Sequence, residues 1–102
     1  MKIGFVQLNV SFGNPDDNLK KIISLTSDKE ADLLVLPELA NSGYLFSDKN
    51  ELDELSENIE TGKFCNALKK ISTEKNCFIV SGICEKSEDK FYNSSVLFCP
   101  DG

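Results

Sequence analysis

The amino-acid sequence predicts an α/β protein in which parallel strands alternate with helices. Short runs rich in Ile, Val, Leu and Phe recur along the chain, and segments with helical spacing of apolar residues separate them. Parallel strands need crossover connections of this kind. Of the 102 residues, 40% are hydrophobic and 27% are charged, a composition that suits a packed core. The length is enough for one small domain and too short for two.

The N-terminal segment predicts a buried strand followed by a capped helix. Residues 2–10 carry few charges and many large apolar side chains, which is typical of a strand buried on both faces of a sheet. Asn14 precedes Pro15, and two aspartates follow, so a helix is expected to begin here with acidic side chains near its positive dipole end. Apolar residues and a threonine repeat at helical spacing and predict one buried stripe on this helix: Leu19, Ile22, Ile23 and Thr26.

A second apolar run, residues 32–36, predicts a central strand. Pro37 ends this strand because proline has no N–H to donate to a sheet ladder. The following segment, residues 38–46, is rich in turn-forming residues, and we expect Asn41 and Ser42 to form the turn rather than to bind a ligand. The chain therefore changes direction in a loop beyond the carboxyl end of a strand.

Two helices are predicted between the second and third strands. Residues 48–59 have the composition of a weak, acidic helix. Thr61 is expected to cap a stronger helix that ends near Lys75. Its inward-facing residues are predicted to be Phe64, Ala67, Leu68 and Ile71.

The C-terminal part predicts two further strands, residues 77–84 and 91–99, joined by a charged hairpin-type connection over residues 85–90. Asp101 and Gly102 have the sequence of a hairpin turn, yet no strand follows them. Such an ending would leave an open sheet edge and uncovered apolar faces. We therefore expect residues 1–102 to be a fragment of a larger polypeptide.

The charge pattern and the apolar runs argue against two classes of partner. The formal net charge is −6, from 17 acidic and 11 basic residues, and the basic residues are scattered. Nucleic-acid binding needs a cationic surface, so no nucleic acid is expected as a partner. No apolar run approaches the roughly 18 residues that a membrane-spanning helix needs, and the N-terminus lacks the features of a signal peptide. A cytoplasmic protein is the resulting expectation.

The histidine and cysteine content limits the possible chemistry. The chain has no histidine, which excludes a Cys–His dyad, a Ser–His–Asp triad and a mixed-ligand zinc site within it. No CxxC pair is present either. The four cysteines are expected to be small buried hydrophobic residues: Cys65, Cys77, Cys84 and Cys99.

Glu38 is the candidate catalytic residue. It follows an apolar strand and a proline, so it is expected at the mouth of the sheet, half withdrawn from water, where open α/β sheets bind ligands. Desolvation there would raise its pKa, as a general base working near neutral pH requires. The alternative is a structural role, since acids at strand ends also cap helices or accept hydrogen bonds from loop amides.

A family resemblance favours the catalytic interpretation. Residues 36–39, Leu-Pro-Glu-Leu, followed by Gly43-Tyr44, resemble the first catalytic motif of the nitrilase superfamily of carbon–nitrogen hydrolases. The similarity continues in the same order along nearly the whole chain. It includes the first strand at residues 2–9, the helix start at Asn18-Leu19, the third strand at residues 81–83, and the segment before the family's catalytic lysine at residues 92–96 and 100–102.

The resemblance implies a Glu, Lys, Cys mechanism in which Glu38 is the general base and no metal or organic cofactor is needed. It also implies a four-layer αββα sandwich, a tendency to form homo-oligomers, and a small-molecule amide or nitrile substrate. Residues 1–102 would be the N-terminal part of one incomplete domain, because the family's lysine and cysteine follow the segment that ends at Gly102. Lys86 and Lys90 flank a surface turn and are expected to be solvated charges.

Tyr44 is the second candidate site residue. Tyr44 can line the pocket or position Glu38, although an aromatic residue at such a place more often packs against the core.

In a magnesium-dependent endonuclease or phosphatase, Asn9 and Glu38 would be metal-side residues, but Pro37 and the absence of histidine do not fit that family. The non-enzyme alternative is an inactive fragment or a small-molecule binding module.

Overall fold

One mixed four-stranded sheet organises the computed structural model, which describes residues 1–102. The elements are β1 (Ile3–Phe5), α1 (Pro15–Thr26), β2 (Leu33–Val35), α2 (Lys49–Leu55), α3 (Lys63–Lys75), β3 (Phe78–Ser87) and β4 (Lys90–Phe98). The strand order is β1-β2-β3-β4, in which the first three strands are parallel and β4 is antiparallel to β3. The predicted α/β class and the central place of β2 are confirmed. Even the longest helix, of 13 residues, is too short to span a bilayer.

The first strand is much shorter than predicted. Its ladder with β2 covers three residues, and the last bond beyond it joins the Val6 amide to the Val35 carbonyl at 2.8 Å. The ladder stops because Pro37 ends the partner strand. Burial on both faces was also a wrong prediction, since Ile3 and Phe5 are 58% and 78% exposed. The two crossovers, β1 to β2 and β2 to β3, run the same way along the sheet, and α1 and α3 contact each other, so both helices lie on one face. Crossovers of one hand that run the same way place their helices in this manner.

Helix α1 begins as predicted and buries most of the predicted stripe: Ile22 and Thr26 are buried, and Leu19 is partly buried against the core. The Asn14 side chain accepts a hydrogen bond from the Asp17 amide at 3.1 Å, which confirms the cap. Ile23 is 46% exposed, so its predicted burial was wrong. The buried residues recur at a spacing of four: Asn18, Ile22 and Thr26. Asn18, a polar residue that the apolar pattern did not include, is therefore part of the buried stripe, and Ile23 is not.

Helix α2 is shorter than predicted. Asp48 caps it by accepting from the Glu51 amide at 2.9 Å, and it ends at Leu55 with no buried residue. The next residues run beside β3 instead. The Glu57 amide donates to the Cys84 carbonyl at 3.0 Å. Pairing with the sheet therefore replaces the last turn of the predicted helix.

The N-terminus of helix α3 is capped by Glu57, which lies outside the helix. Gly62, not Thr61, is the N-cap residue, and its backbone has no side-chain cap of its own. The Glu57 carboxylate accepts from the Phe64 amide at 3.2 Å and from the Cys65 amide at 2.7 Å. A negative charge at this end also complements the helix dipole. An added Cβ at Gly62 would collide with that carboxylate, which explains the glycine.

Strands β3 and β4 form a longer hairpin than predicted. Their register runs from Ile79↔Phe98 to Ser87↔Lys90, so only two residues form the turn. Glu88, the first of them, has a φ of 57°. Most of the predicted connection over residues 85–90 therefore belongs to the strands.

The core lies between the sheet and helices α1 and α3. The predicted inward residues of α3 are confirmed, with Phe64 and Leu68 buried and Ala67 and Ile71 partly buried. Twelve buried residues form the core cluster: Val6, Ile22, Leu34, Leu36, Ala40, Phe64, Cys65, Leu68, Cys77, Ile79, Ile83 and Phe98.

Two adjacent isoleucines of α1 test this packing. Ile22 is 1% exposed, and Ile22→Ala should lower the free energy of unfolding by about 2–5 kcal/mol because it leaves a cavity. Ile23→Ala, the matched control, should cost less than about 1 kcal/mol. Urea unfolding followed by circular dichroism measures both, and equal losses would contradict the assigned stripe.

Candidate active site

The loop after β2 continues along β3 and fixes the position of Glu38. The Leu36 amide donates to the Val80 carbonyl at 2.8 Å, and the Gly82 amide donates to the Pro37 carbonyl at 3.2 Å. One step further, the Ala40 amide donates to the Gly82 carbonyl at 3.0 Å. The backbone on either side of Glu38 is therefore bonded to the sheet.

Asn41 extends this pairing with its side chain. Its Oδ1 accepts from the Cys84 amide at 2.8 Å, and its Nδ2 donates to the Cys84 carbonyl at 3.2 Å. The carboxamide thus occupies the place of a peptide group in the ladder. Asn41 and Ser42 do lie in the predicted turn, but the bonding role of Asn41 was missed. Sequence patterning could not reveal it, because the partner is 43 residues away.

A left-handed residue turns the chain inward directly after Glu38. Leu39 has a φ of 47°, and its carbonyl accepts from the amides of Ser42 and Gly43 at 3.2 and 2.8 Å. Residues 39–42 are all buried, whereas Glu38 is exposed. A non-glycine residue in this conformation costs roughly 1–3 kcal/mol and persists only where its surroundings hold it. The buried loop supplies that constraint and leaves the Glu38 side chain on the outside.

Gly82 lets the main chain of Glu38 approach β3. An added Cβ at Gly82 would lie 2.5 Å from the Cα of Glu38 and 2.8 Å from the Leu39 nitrogen. Real Cβ atoms do not approach backbone so closely, so the loop would have to move. Glycine is therefore required here by close packing of two backbones.

The carboxylate of Glu38 lies in solvent, so its predicted half-burial was wrong. The reason is that Glu38 lies on the sheet face that no helix covers, where Phe5 and Leu97 are also exposed. The carboxylate has one hydrogen-bond partner, Asn93, whose Nδ2 donates to Oε1 at 3.0 Å. Asn93 lies opposite Cys84 in the β3–β4 register.

An open cavity of about 330 Å³ adjoins Glu38. Its lining comprises Leu8, Asn9, Val10, Pro37, Glu38 and Tyr44. Tyr44 is 67% exposed, so it lines the cavity beside Glu38 and does not pack into the core. The chain contains no cluster of three metal-ligating side chains. The cavity thus offers one carboxylate and one phenol to a small ligand.

The cysteines lie mostly in the core, as predicted. Cys65, Cys77 and Cys84 are buried, and Cys99 is partly buried. Burial raises the pKa of all three buried thiols, and the Glu57 carboxylate raises the pKa of Cys65 further. A thiol that resists ionisation is a poor nucleophile.

The two lysines near the hairpin turn differ from each other. Lys86 forms an ion pair with Asp53 and lies 5.9 Å from the centre of the Phe91 ring, so describing it as a solvated charge was wrong. Lys90 is exposed and has no ion-pair partner, as expected of a surface charge. Neither lysine contacts Glu38 through a hydrogen bond or ion pair.

A methyl group at Gly82 should disturb the site. Gly82→Ala should lower the free energy of unfolding by about 1–3 kcal/mol, since the loop must shift away from β3. Gly4→Ala is the matched control, because its added Cβ would meet only the end of the Leu34 side chain, at 3.3 Å. Chemical denaturation measures the stabilities. An equal or smaller loss for Gly82→Ala would contradict the close approach.

Thiol labelling should distinguish the cysteines. At pH 8 the native chain should react with iodoacetamide first at Cys99, and roughly tenfold or more slowly at the three buried thiols, because burial disfavours their thiolates. Peptide mass spectrometry reads the order of labelling. Comparable rates should appear in urea, and comparable rates in native buffer would contradict the assigned burial.

Comparisons with known proteins identify the family of this chain. Residues 2–102 match the sequence model of the carbon-nitrogen hydrolase family. The chain is 35% identical to a nitrilase from Pyrococcus abyssi, covering 100% of this chain and 40% of that protein. It is 34% identical to a 2-oxoglutaramate amidase from Bacillus subtilis, covering 98% of this chain and 38% of that protein.

The fold comparison gives the same result. The crystal structure of an N-terminal amidase with a Gln-Val peptide superposes with a TM-score of 0.89 at 25% identity, covering 97% of this chain and 25% of that one. The chain thus spans about two fifths or less of the length of these relatives. On the extent of the family match, the chain belongs to the carbon–nitrogen hydrolase family, the nitrilase superfamily.

Proposed function

We propose that Glu38 is the general base of a hydrolase that cleaves non-peptide carbon–nitrogen bonds in small amides. The observation that carries this proposal is the placement of Glu38. Its backbone is held against β3, its carboxylate is open to solvent, and it borders a cavity at the carboxyl end of the central strand. Ligands bind at this end of open α/β sheets.

The proposed chemistry needs a cysteine and a lysine in addition to Glu38. Glu38 takes the proton of the cysteine thiol, and the thiolate attacks the amide carbon while the lysine stabilises the developing oxyanion. Glu38 then gives the proton to the leaving ammonia or amine. In the second half it takes a proton from the water that attacks the thioester. The C–S bond then breaks, the carboxylic acid is released, and Glu38 returns the proton to the cysteine sulfur.

The cysteine and lysine of this scheme are proposed to come from polypeptide outside residues 1–102. Three of the four cysteines are buried with raised pKa values, which does not suit a nucleophile. Lys86 is paired with Asp53, away from Glu38. For residues 1–102 alone we therefore propose no turnover, and at most binding of a small molecule.

A small linear amide is the proposed substrate class, ahead of carbamoyl-amines and nitriles. The relative from Bacillus subtilis is named for an amidase activity, and the aligned crystal structure is that of an amidase. The cavity beside Glu38 is open and small, which suits a compact amide. The metal-dependent alternative, with Asn9 and Glu38 as ligands, is disfavoured because the chain belongs to a different family.

The proposal extends to the whole domain. Residues 1–102 would be the N-terminal part of a single hydrolase domain, and the exposed apolar face with Ile3, Phe5 and Leu97 would pack against a second sheet in a four-layer αββα sandwich. We also expect the whole protein to form a homo-oligomer in the cytoplasm and to bind neither a cofactor nor nucleic acid.

Glu38→Gln tests the proposed base. In an active polypeptide that contains residues 1–102, the substitution should lower kcat about 10²–10⁴-fold, because the amide cannot accept a proton. Folding should be retained, since the side chains are isosteric and Glu38 is exposed. Ammonia release from small amides measures turnover, and the melting temperature reports folding.

The matched control is Glu60→Gln, which removes an exposed carboxylate that has no hydrogen-bond or ion-pair partner and lies outside the cavity lining. It should leave kcat unchanged. Near-native turnover in Glu38→Gln would remove Glu38 from the mechanism. Loss of folding in Glu38→Gln would favour a structural role instead.

A further inference from the structure

The carboxylate of Glu38 is held by a single side chain. Asn93 Nδ2 donates to Glu38 Oε1 at 3.0 Å, although the two residues are 55 positions apart. No other group of the chain donates a hydrogen bond to this carboxylate, and no lysine forms an ion pair with it. The orientation of an exposed, flexible glutamate therefore depends on one amide.

The sheet register explains how Asn93 reaches Glu38. The main chain of Glu38 crosses β3 at Gly82, which allows contact because it has no side chain. Two residues further along β3, Cys84 pairs with Asn93 of β4. Residues two apart in a strand share a face, and directly opposed residues do so as well. Gly82 and Asn93 thus lie on one face, and the Glu38 side chain spans β3 to reach β4.

We propose that Asn93 is a positioning residue for the general base, an inference that rests on the proposed function of Glu38. The amide fixes Oε1 and leaves Oε2 free to accept and release a proton. An asparagine amide neither takes up nor loses a proton near neutral pH, so it orients the carboxylate without competing for the proton. Orientation matters because small displacements of catalytic groups reduce rates strongly.

A structural role for the same bond would behave differently. The bond lies at the protein surface, where water competes for both groups, so its loss changes stability little. Its effect on kcat should therefore be separable from its effect on folding. The shape of the substrate site should also be retained, which predicts a change in kcat with little change in KM.

The experiment compares substitutions of Asn93 in an active polypeptide that contains residues 1–102. Asn93→Ala should lower kcat roughly 10- to 100-fold, with KM and melting temperature nearly unchanged. Asn93→Gln should recover part of the loss because it keeps a carboxamide donor. Asn93→Asp should be slower than Asn93→Ala, since two neighbouring carboxylates repel each other.

Ser95→Ala is the matched control, because Ser95 is exposed on the same face of β4 and forms no side-chain hydrogen bond. It should keep the original kcat. In the same polypeptide labelled with ¹⁵N, Glu38→Gln should shift the side-chain amide resonances of Asn93, because a carboxamide is a weaker acceptor than a carboxylate. Unshifted resonances would contradict the bond.

The outcomes separate the two proposals. Unchanged kcat in Asn93→Ala, with activity lost in Glu38→Gln, would overturn the positioning role and leave the general base standing. A loss of kcat that parallels a fall in melting temperature, without recovery in Asn93→Gln, would also overturn it. Unchanged kcat in Glu38→Gln would overturn the proposed base and the positioning role together.

Discussion

The site depends on the hydrogen bonds along one side of β3, the side that faces β2 and the loop after β2. The short strand β2 pairs only with its beginning, and the loop backbone, the Asn41 carboxamide and Glu57 continue the pairing in turn. A buried backbone group left without a partner costs about 1–3 kcal/mol. Each replacement for the missing strand residues therefore stabilises one particular path of the loop, and no buried side-chain polar atom lacks a partner.

Polar contacts connect this ladder to helix α1. The side chain of Asn18 is buried. Its Oδ1 accepts from the Ser11 amide at 2.6 Å, and its Nδ2 donates to the Ser11 carbonyl at 2.9 Å and to the Asn41 carbonyl at 3.4 Å. The Gly13 amide donates to the Ser42 carbonyl at 2.9 Å. Two loops and one helix are thus held by a shared network, which explains why a polar residue faces the core. Satisfied networks of this kind specify one arrangement of the chain.

The two faces of the sheet have different environments. The face toward α1 and α3 holds the core, whereas the opposite face exposes Phe5, Leu97 and the Glu38–Asn93 pair. A charged group and its partner therefore stand beside an apolar surface. Covering the apolar part of this surface would leave the pair beside the open cavity, where a small ligand can reach the carboxylate. The proposed sandwich would create this environment for the general base.

The sequence by itself determined the α/β class, the order of strands and helices, the cap of α1, the turn after β2 and the position of Glu38 at a strand end. These features follow from local patterns, because apolar periodicity, proline and capping residues act over a few neighbouring positions. The family motif gave Glu38 its candidate role, and the family match confirms the family itself.

Only the tertiary structure decided which side chains surround that glutamate. Asn41 bonds to Cys84, Glu57 caps α3, Gly82 admits the Glu38 backbone, and Asn93 holds the carboxylate. These contacts join residues that are 7 to 55 positions apart, so no local pattern encodes them. The exposure of β1 and of Glu38 was mispredicted for the same reason: burial depends on which face the helices cover, and that follows from the handedness of the crossovers.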